Sequence, residues 1–165
     1  SNDMLSIETV DNKLKLELRG KTKRTFSLPL IEGEDKEQKV PDLTFPVTIK
    51  TKTEILNNAI EDVDIVAESV TLKIEKNILT ISGESDLSNA QIEIKPDEET
   101  TITIEGEDKV KAKYSVEYLK KIMSASKLCD YVVMQFNKDY PLKLDYIVVD
   151  KLQLSFILAP RVEND

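Results

Sequence analysis

Histidine is absent from these 165 residues, and cysteine occurs once, as Cys129. Serine–histidine and cysteine–histidine nucleophilic systems are thereby excluded. So are zinc sites, which need several Cys or His ligands at set spacings. A single cysteine cannot form an internal disulfide, which fits a reducing compartment. With four glycines in the chain, there is no Gly-rich loop to cradle a phosphate. No apolar run approaches the roughly 20 residues that a membrane-spanning helix needs. The first residues, Ser1-Asn2-Asp3-Met4, lack the basic-then-apolar pattern of a secretion signal.

Positive charge is also in short supply. Lys and Arg number 23 against 31 Asp and Glu, a net charge of −8. That balance argues against a surface coated for nucleic acid, although a local basic face survives it, because the field follows the distribution of charge. The acidic clusters Glu32–Asp35 and Asp97–Glu99 fall in charged loops and read as solvated surface. Cys129, between Leu128 and Asp130, reads as an inert packed thiol, since nothing beside it in sequence lowers its pKa.

What is present is alternation. Leu14, Leu16 and Leu18 alternate with Lys13, Lys15 and Glu17, the period of a half-buried strand. Thr25 to Leu28 continue the pattern until Pro29, which confines a strand to an edge or an end. Residues 32–42 are almost wholly polar and read as a linker. Pro46 to Lys50 begins a second region as a strand, followed by a helix with Thr53 as N-cap and Ile55, Leu56, Ala59, Ile60 and Val63 on one stripe. Strands follow at about 65–74, 78–84 and 89–95, with Asn77 and Asn89 marking turns and 96–100 an acidic loop. The pattern then repeats: a strand at about 109–114, a helix capped by Ser115 with Val116, Leu119, Ile122, Met123 and Ser126 buried, and strands at about 130–137, 141–149 and 151–158. The chain thus reads as two strand–helix–three-strand units, residues 46–95 and 109–159, preceded at 4–30 by the last three strands of a third. One stripe per helix predicts an α+β fold, with antiparallel sheet and two helices side by side on a single face.

Lys120, Lys121 and Lys127 oppose a single Glu117 on the second helix, which makes it basic within an acidic chain. Two readings stay open: a solvated face whose lysines favour the helix dipole, or a positive stripe facing a polyanion. Lys50 and Lys52 precede the first helix, but Glu54, Glu61 and Asp62 oppose them.

Several segments carry a family resemblance. They are Lys23-Arg24-Thr25-Phe26-Ser27-Leu28-Pro29-Leu30, the acidic linker ending Val40-Pro41-Asp42-Leu43-Thr44-Phe45, Tyr114-Ser115-Val116-Glu117-Tyr118-Leu119, and Ile157-Leu158-Ala159-Pro160-Arg161-Val162-Glu163. Together they resemble the archaeal form of the proliferating cell nuclear antigen family, the DNA sliding clamps, over nearly the whole chain. The resemblance implies a clamp fold of repeated units with sheets outside and helices on one face. It divides the chain into the last strands of a truncated N-terminal domain (1–30), an interdomain connector (31–45) and a complete C-terminal domain (46–165), the expectation for a fragment.

The function so implied is that of a non-enzymatic processivity factor without cofactor or metal. It would encircle double-stranded DNA as a trimeric ring and tether DNA polymerase, flap endonuclease and DNA ligase after loading by a clamp loader. The subunits would be copies or paralogues, in a cytoplasmic, nucleoid-associated setting (nuclear in a eukaryote) and with no membrane partner. By the same resemblance, Val40, Pro41, Pro141, Ile157, Leu158, Ala159 and Pro160 would bind a client motif. Lys50, Lys52, Lys120, Lys121 and Lys127 would face DNA. Arg24, Thr25, Phe26, Ser27 and Leu28 would pair with Ala90, Gln91, Ile92, Glu93 and Ile94 of the next subunit. Two alternatives stand beside this reading. One is a specialised subunit of a heterotrimeric or checkpoint-type clamp. The other is an acidic carboxylate-dependent hydrolase, which requires a buried acid pair of raised pKa in a cleft.

Overall fold

The structure, a computed structural model, describes residues 3–31, 43–106 and 109–161. It divides into two compact units, Ser1–Asp42 and Leu43–Asp165.

The first unit is a three-stranded antiparallel meander of β1 (Met4–Val10), β2 (Lys13–Arg19) and β3 (Lys23–Pro29). Asp11 and Asn12, both at positive φ (50° and 59°), form the first hairpin turn, the conformation that short-side-chain residues tolerate and that matches strand twist. The cross-strand partners Leu16↔Ile7 and Leu16↔Phe26 place Leu5, Ile7, Leu14, Leu16, Leu18, Phe26 and Leu28 on one face. The other face carries Lys15, Glu17, Arg19 and Lys23. Pro29 closes the edge strand β3, where its missing N–H breaks no ladder.

The second unit begins with β4 (Val47–Lys52) and α1 (Thr53–Asp64), followed by β5 (Ser69–Glu75), β6 (Ile78–Glu84), β7 (Asn89–Ile94) and β8 (Thr101–Ile104). It continues with β9 (Lys109–Ser115), α2 (Val116–Met123), a 3₁₀ turn (Ser124–Leu128), β10 (Tyr131–Phe136), β11 (Leu142–Val148) and β12 (Leu152–Leu158). These strands make a five-stranded sheet, β12-β11-β10-β4-β8, and a four-stranded sheet, β7-β6-β5-β9, in which every pairing is antiparallel. β8 lies in a stretch that sequence periodicity leaves unassigned; at four residues it is too short to show a period, and its place is set by pairing with β4. Asn89 opens β7 rather than a turn.

Both helices cover the inner faces of these sheets. Leu56, Ile60 and Val63 of α1 and Val116, Leu119 and Met123 of α2 are buried with Ile49, Leu72, Ile81, Met134 and Leu144 from the strands. The helices lie side by side, joined by the Lys120–Asp64 ion pair, while Asn57 Nδ2 of α1 donates to Ser126 Oγ of the 3₁₀ turn (3.0 Å). Gly83 sits where β6 passes under α1: a Cβ there would stand 2.5 Å from Val63 Cγ1.

The two expected N-caps fail for different reasons. Thr53 is the first helical residue; its hydroxyl donates to the Cys129 and Asp130 carbonyls and ties α1 to the loop before β10. Ser115 occupies the N-cap position, but its hydroxyl makes no capping bond and is buried with no hydrogen-bond partner among the described residues.

Candidate functional site

Strand alternation sorts the five-stranded sheet into two chemically distinct faces. Val47, Ile49 and Thr51 of β4 are fully buried on the helix side, so Thr48, Lys50 and Lys52 lie on the outer side. The registers carry this assignment across the sheet. Lys52, Tyr131, Ile147 and Gln153 form one outer row; Lys50, Val133, Asp145 and Ser155 form the next; Thr48, Gln135, Lys143 and Ile157 form a third. Leu142 pairs with Leu158, so Pro141 and Ala159 are the next residues beyond that rung.

This end of the hairpin is braced from three sides. The Tyr114 hydroxyl donates to the Tyr140 carbonyl at 2.7 Å. The Phe45 ring meets the Tyr140 ring edge-on, with centroids 6.0 Å apart. Arg161 N donates to the Lys113 carbonyl at 2.7 Å and its guanidinium to Ser69, fixing the chain just past Pro160. Pro141, Ile157, Ala159 and Pro160 are therefore brought together at one edge of the outer face. Ile157 remains 41% exposed there. Leu158 points the other way and packs against the core. Val40 and Pro41 lie outside the described residues.

The five lysines do not form one group. Lys120, Lys121 and Lys127 belong to the α2 and 3₁₀ segment, whereas Lys50 and Lys52 lie on the outer sheet face, away from the helices. The spacing in β4 held this information: inward apolar residues at 47 and 49 dictate outward side chains at 50 and 52. Lys52 is bound to Glu99, and Lys50 stands 5.2 Å from the Tyr131 ring centroid, a cation–π distance. On α2, Lys120 is paired with Asp64, and Lys121 with Glu117 at 2.7 Å. Those carboxylates raise the pKa of both ammonium groups, so the lysines stay charged. Lys127 has no carboxylate partner among the described residues.

The outer face also carries a hollow of about 540 Å³, lined by Lys50, Leu128, Tyr131, Val133, Ile147 and Val149. The run of outward apolar residues at 131, 133, 147 and 149 was its signal in the sequence.

Among the described residues the carboxylates give no buried acid pair. Glu17 and Asp145 are the buried ones among the described residues. Lys23 and then Arg19 hold the Glu17 carboxyl below its ordinary range, the reverse of what a hydrolytic acid needs. Asp145 accepts from Ser155 and is ion-paired with Lys143 at 3.0 Å. No group of three potential metal ligands occurs among the described residues.

Repeated strand–helix–strand units, two amphipathic helices on one side and sheets on the other define a sliding-clamp fold, of the α+β class. The family model "Proliferating cell nuclear antigen, C-terminal domain" matches residues 39–161. The chain is 36% identical over 151 residues to the DNA polymerase sliding clamp of Nanoarchaeum equitans, covering 91% of this chain and 61% of that protein. It is 34% identical over 154 residues to the DNA polymerase sliding clamp of Thermococcus sibiricus, covering 93% and 62%. The crystal structure of PCNA from Thermococcus kodakaraensis superposes with a TM-score of 0.85 at 30% identity, over 98% of this chain and 66% of that one. The chain belongs to the proliferating cell nuclear antigen family, and it spans 61% to 66% of the length of these relatives.

Proposed function

We propose that this chain is part of a DNA sliding clamp subunit, a binding scaffold rather than an enzyme. It would hold replication and repair proteins on duplex DNA within a trimeric ring. The observation that supports this best is the division of labour between the two sides of the second unit. The helix side presents Lys120, Lys121 and Lys127, suited to loose phosphate contact that carries no sequence information. The sheet side presents Pro141, Ile157, Ala159 and Pro160 as a braced apolar edge, suited to a few hydrophobic or aromatic anchors of a client peptide. Leu158 would contribute its backbone, in strand-like pairing with the client. Tethering raises a client's effective concentration at the DNA, which is the whole of the activity; polymerase, flap endonuclease, ligase and loader are the clients this reading expects. The β3 edge (Arg24–Leu28) and the β7 edge (Ala90–Ile94) would form the subunit joint, and the net negative charge keeps DNA off the remaining surface.

The test is peptide binding. A fluorescent client-motif peptide bearing two aromatic anchors should bind the chain, and Ile157→Asp should weaken it at least about tenfold, the scale of one buried anchor, with the melting temperature unchanged. Equal affinity for wild type and variant would sink the assignment of this edge.

A further inference from the structure

We infer that the outer face of the four-stranded sheet, along β9 and β5, is a docking strip for an extended, carboxylate-rich segment of a partner protein. The strip lies wholly within the second unit, and the inference does not depend on the clamp reading.

Alternation builds the strip. Val110, Ala112 and Tyr114 of β9 are buried, so Lys109, Lys111 and Lys113 stand on the outer side at every second residue. Same-side residues of an extended strand repeat every ~6.8 Å. On β5, Lys73 stands directly opposite Lys111, and Glu75 opposite Lys109. Arg161 lengthens the basic row, its guanidinium donating to Ser69 Oγ at 2.6 Å. These cations face a hollow of about 1390 Å³. Glu75 is the carboxylate on the outer side of these two strands, and it is ion-paired with both Lys73 and Lys109. Lys111 has no carboxylate partner among the described residues. Like charges at directly opposed strand positions repel, so Lys73 and Lys111 leave a positive field that a bound anion would offset. The net charge of −8 makes this concentration of lysine a local feature of one face.

The width of the strip selects the anion. On β6 and β7 the same face turns to Thr80, Ser82, Glu84, Gln91 and Glu93. Neighbouring strands lie ~4.8 Å apart, whereas the two phosphate rows of a duplex are separated by grooves roughly 6 or 12 Å wide. A duplex seated on β9 would therefore set its second row toward the β6 and β7 carboxylates. Single-stranded nucleic acid is held by aromatic stacking platforms, and the described lining of this hollow contains no aromatic residue. An extended peptide needs the width of only one strip. Acidic residues at every second position would meet the lysines at their own period, and its amides would meet the hydroxyls of Thr71 and Ser82. The binding is to the face and not to the backbone edge. The Lys111 and Lys113 carbonyls already accept from Asp139 N (3.3 Å) and Arg161 N (2.7 Å).

Fluorescence anisotropy of the whole chain tests this, using a labelled peptide of alternating Glu and Ser and an oligothymidylate of equal length. The peptide should bind at low salt, about 50 mM, where exposed charges are weakly screened. Lys111→Glu should weaken it at least about fivefold, since an attraction becomes a repulsion. Lys151→Glu makes the same change of net charge in the turn between β11 and β12, and should weaken the peptide less than about twofold. The melting temperature and the client-motif affinity of Lys111→Glu should match those of the unaltered chain, which separates this face from folding and from the Pro141 edge. Equal losses from Lys111→Glu and Lys151→Glu would overturn the inference, as would a larger loss from Lys127→Glu on the helix side. So would oligothymidylate binding that Lys111→Glu weakens more than it weakens the peptide, or no peptide binding at low salt.

Discussion

Tyr114 and Tyr146 both bury their phenols, but only Tyr114 has a hydrogen-bond partner among the described residues. Tyr114 donates to the Tyr140 carbonyl, whereas the Tyr146 hydroxyl has no partner among the described residues. Burial pushes the Tyr146 pKa up to about 12 and raises that of Tyr114 too, so both stay neutral near pH 7. Tyr114→Phe removes a made bond and strands a carbonyl; the expected loss is about 1 kcal/mol, together with weaker peptide binding at the neighbouring Pro141. Tyr146→Phe removes a group that is desolvated without compensation; stability should stay equal or rise by up to about 1 kcal/mol. Calorimetric melting of both variants checks the contrast in sign. Alternation in β9 and β11 makes both side chains legible as inward-facing, but nothing local to Tyr114 reveals a carbonyl 26 residues away.

At the scale of elements, the two helices show how far local signals reach. Their apolar stripes are plain in the sequence, because a period of 3.6 needs only neighbouring residues to be seen. Their starts are not. The Thr53 hydroxyl is drawn to the Cys129 and Asp130 carbonyls, remote groups that outcompete the capping role its residue type predicts. The fit of α1 onto β6 is equally non-local. Gly83 is needed for the close approach of Val63 rather than for backbone freedom, since no left-handed φ is involved. Gly83→Ala should overpack this contact and cost about 1–3 kcal/mol, read as a lower urea midpoint with an unchanged slope. A wild-type midpoint would mean that Val63 and Ala67 yield freely.

For the whole molecule, charge placement matters more than net charge. Carboxylates on neighbouring segments engage Lys120 and Lys121, which leaves Lys127 as the lysine of that group without an acidic partner among the described residues. Lys127→Glu should therefore weaken duplex binding and lower the slope of log affinity against log salt by about 1, leaving client-peptide affinity intact. Salt-titrated anisotropy on a duplex of arbitrary sequence measures this, and an equal loss of both affinities would argue against separate faces.

The α+β class, the repeated units, both helices, most strands and the family are legible in the order of residues, because each rests on periodicity or on short contiguous motifs. The tertiary structure alone decided that β8 completes the sheet, that Leu158 turns inward while Ile157 turns out, and which lysines carry ion partners. The physical reason is common to all three. A side chain's period is written in its own segment, but its partner is supplied by a segment that only folding brings near.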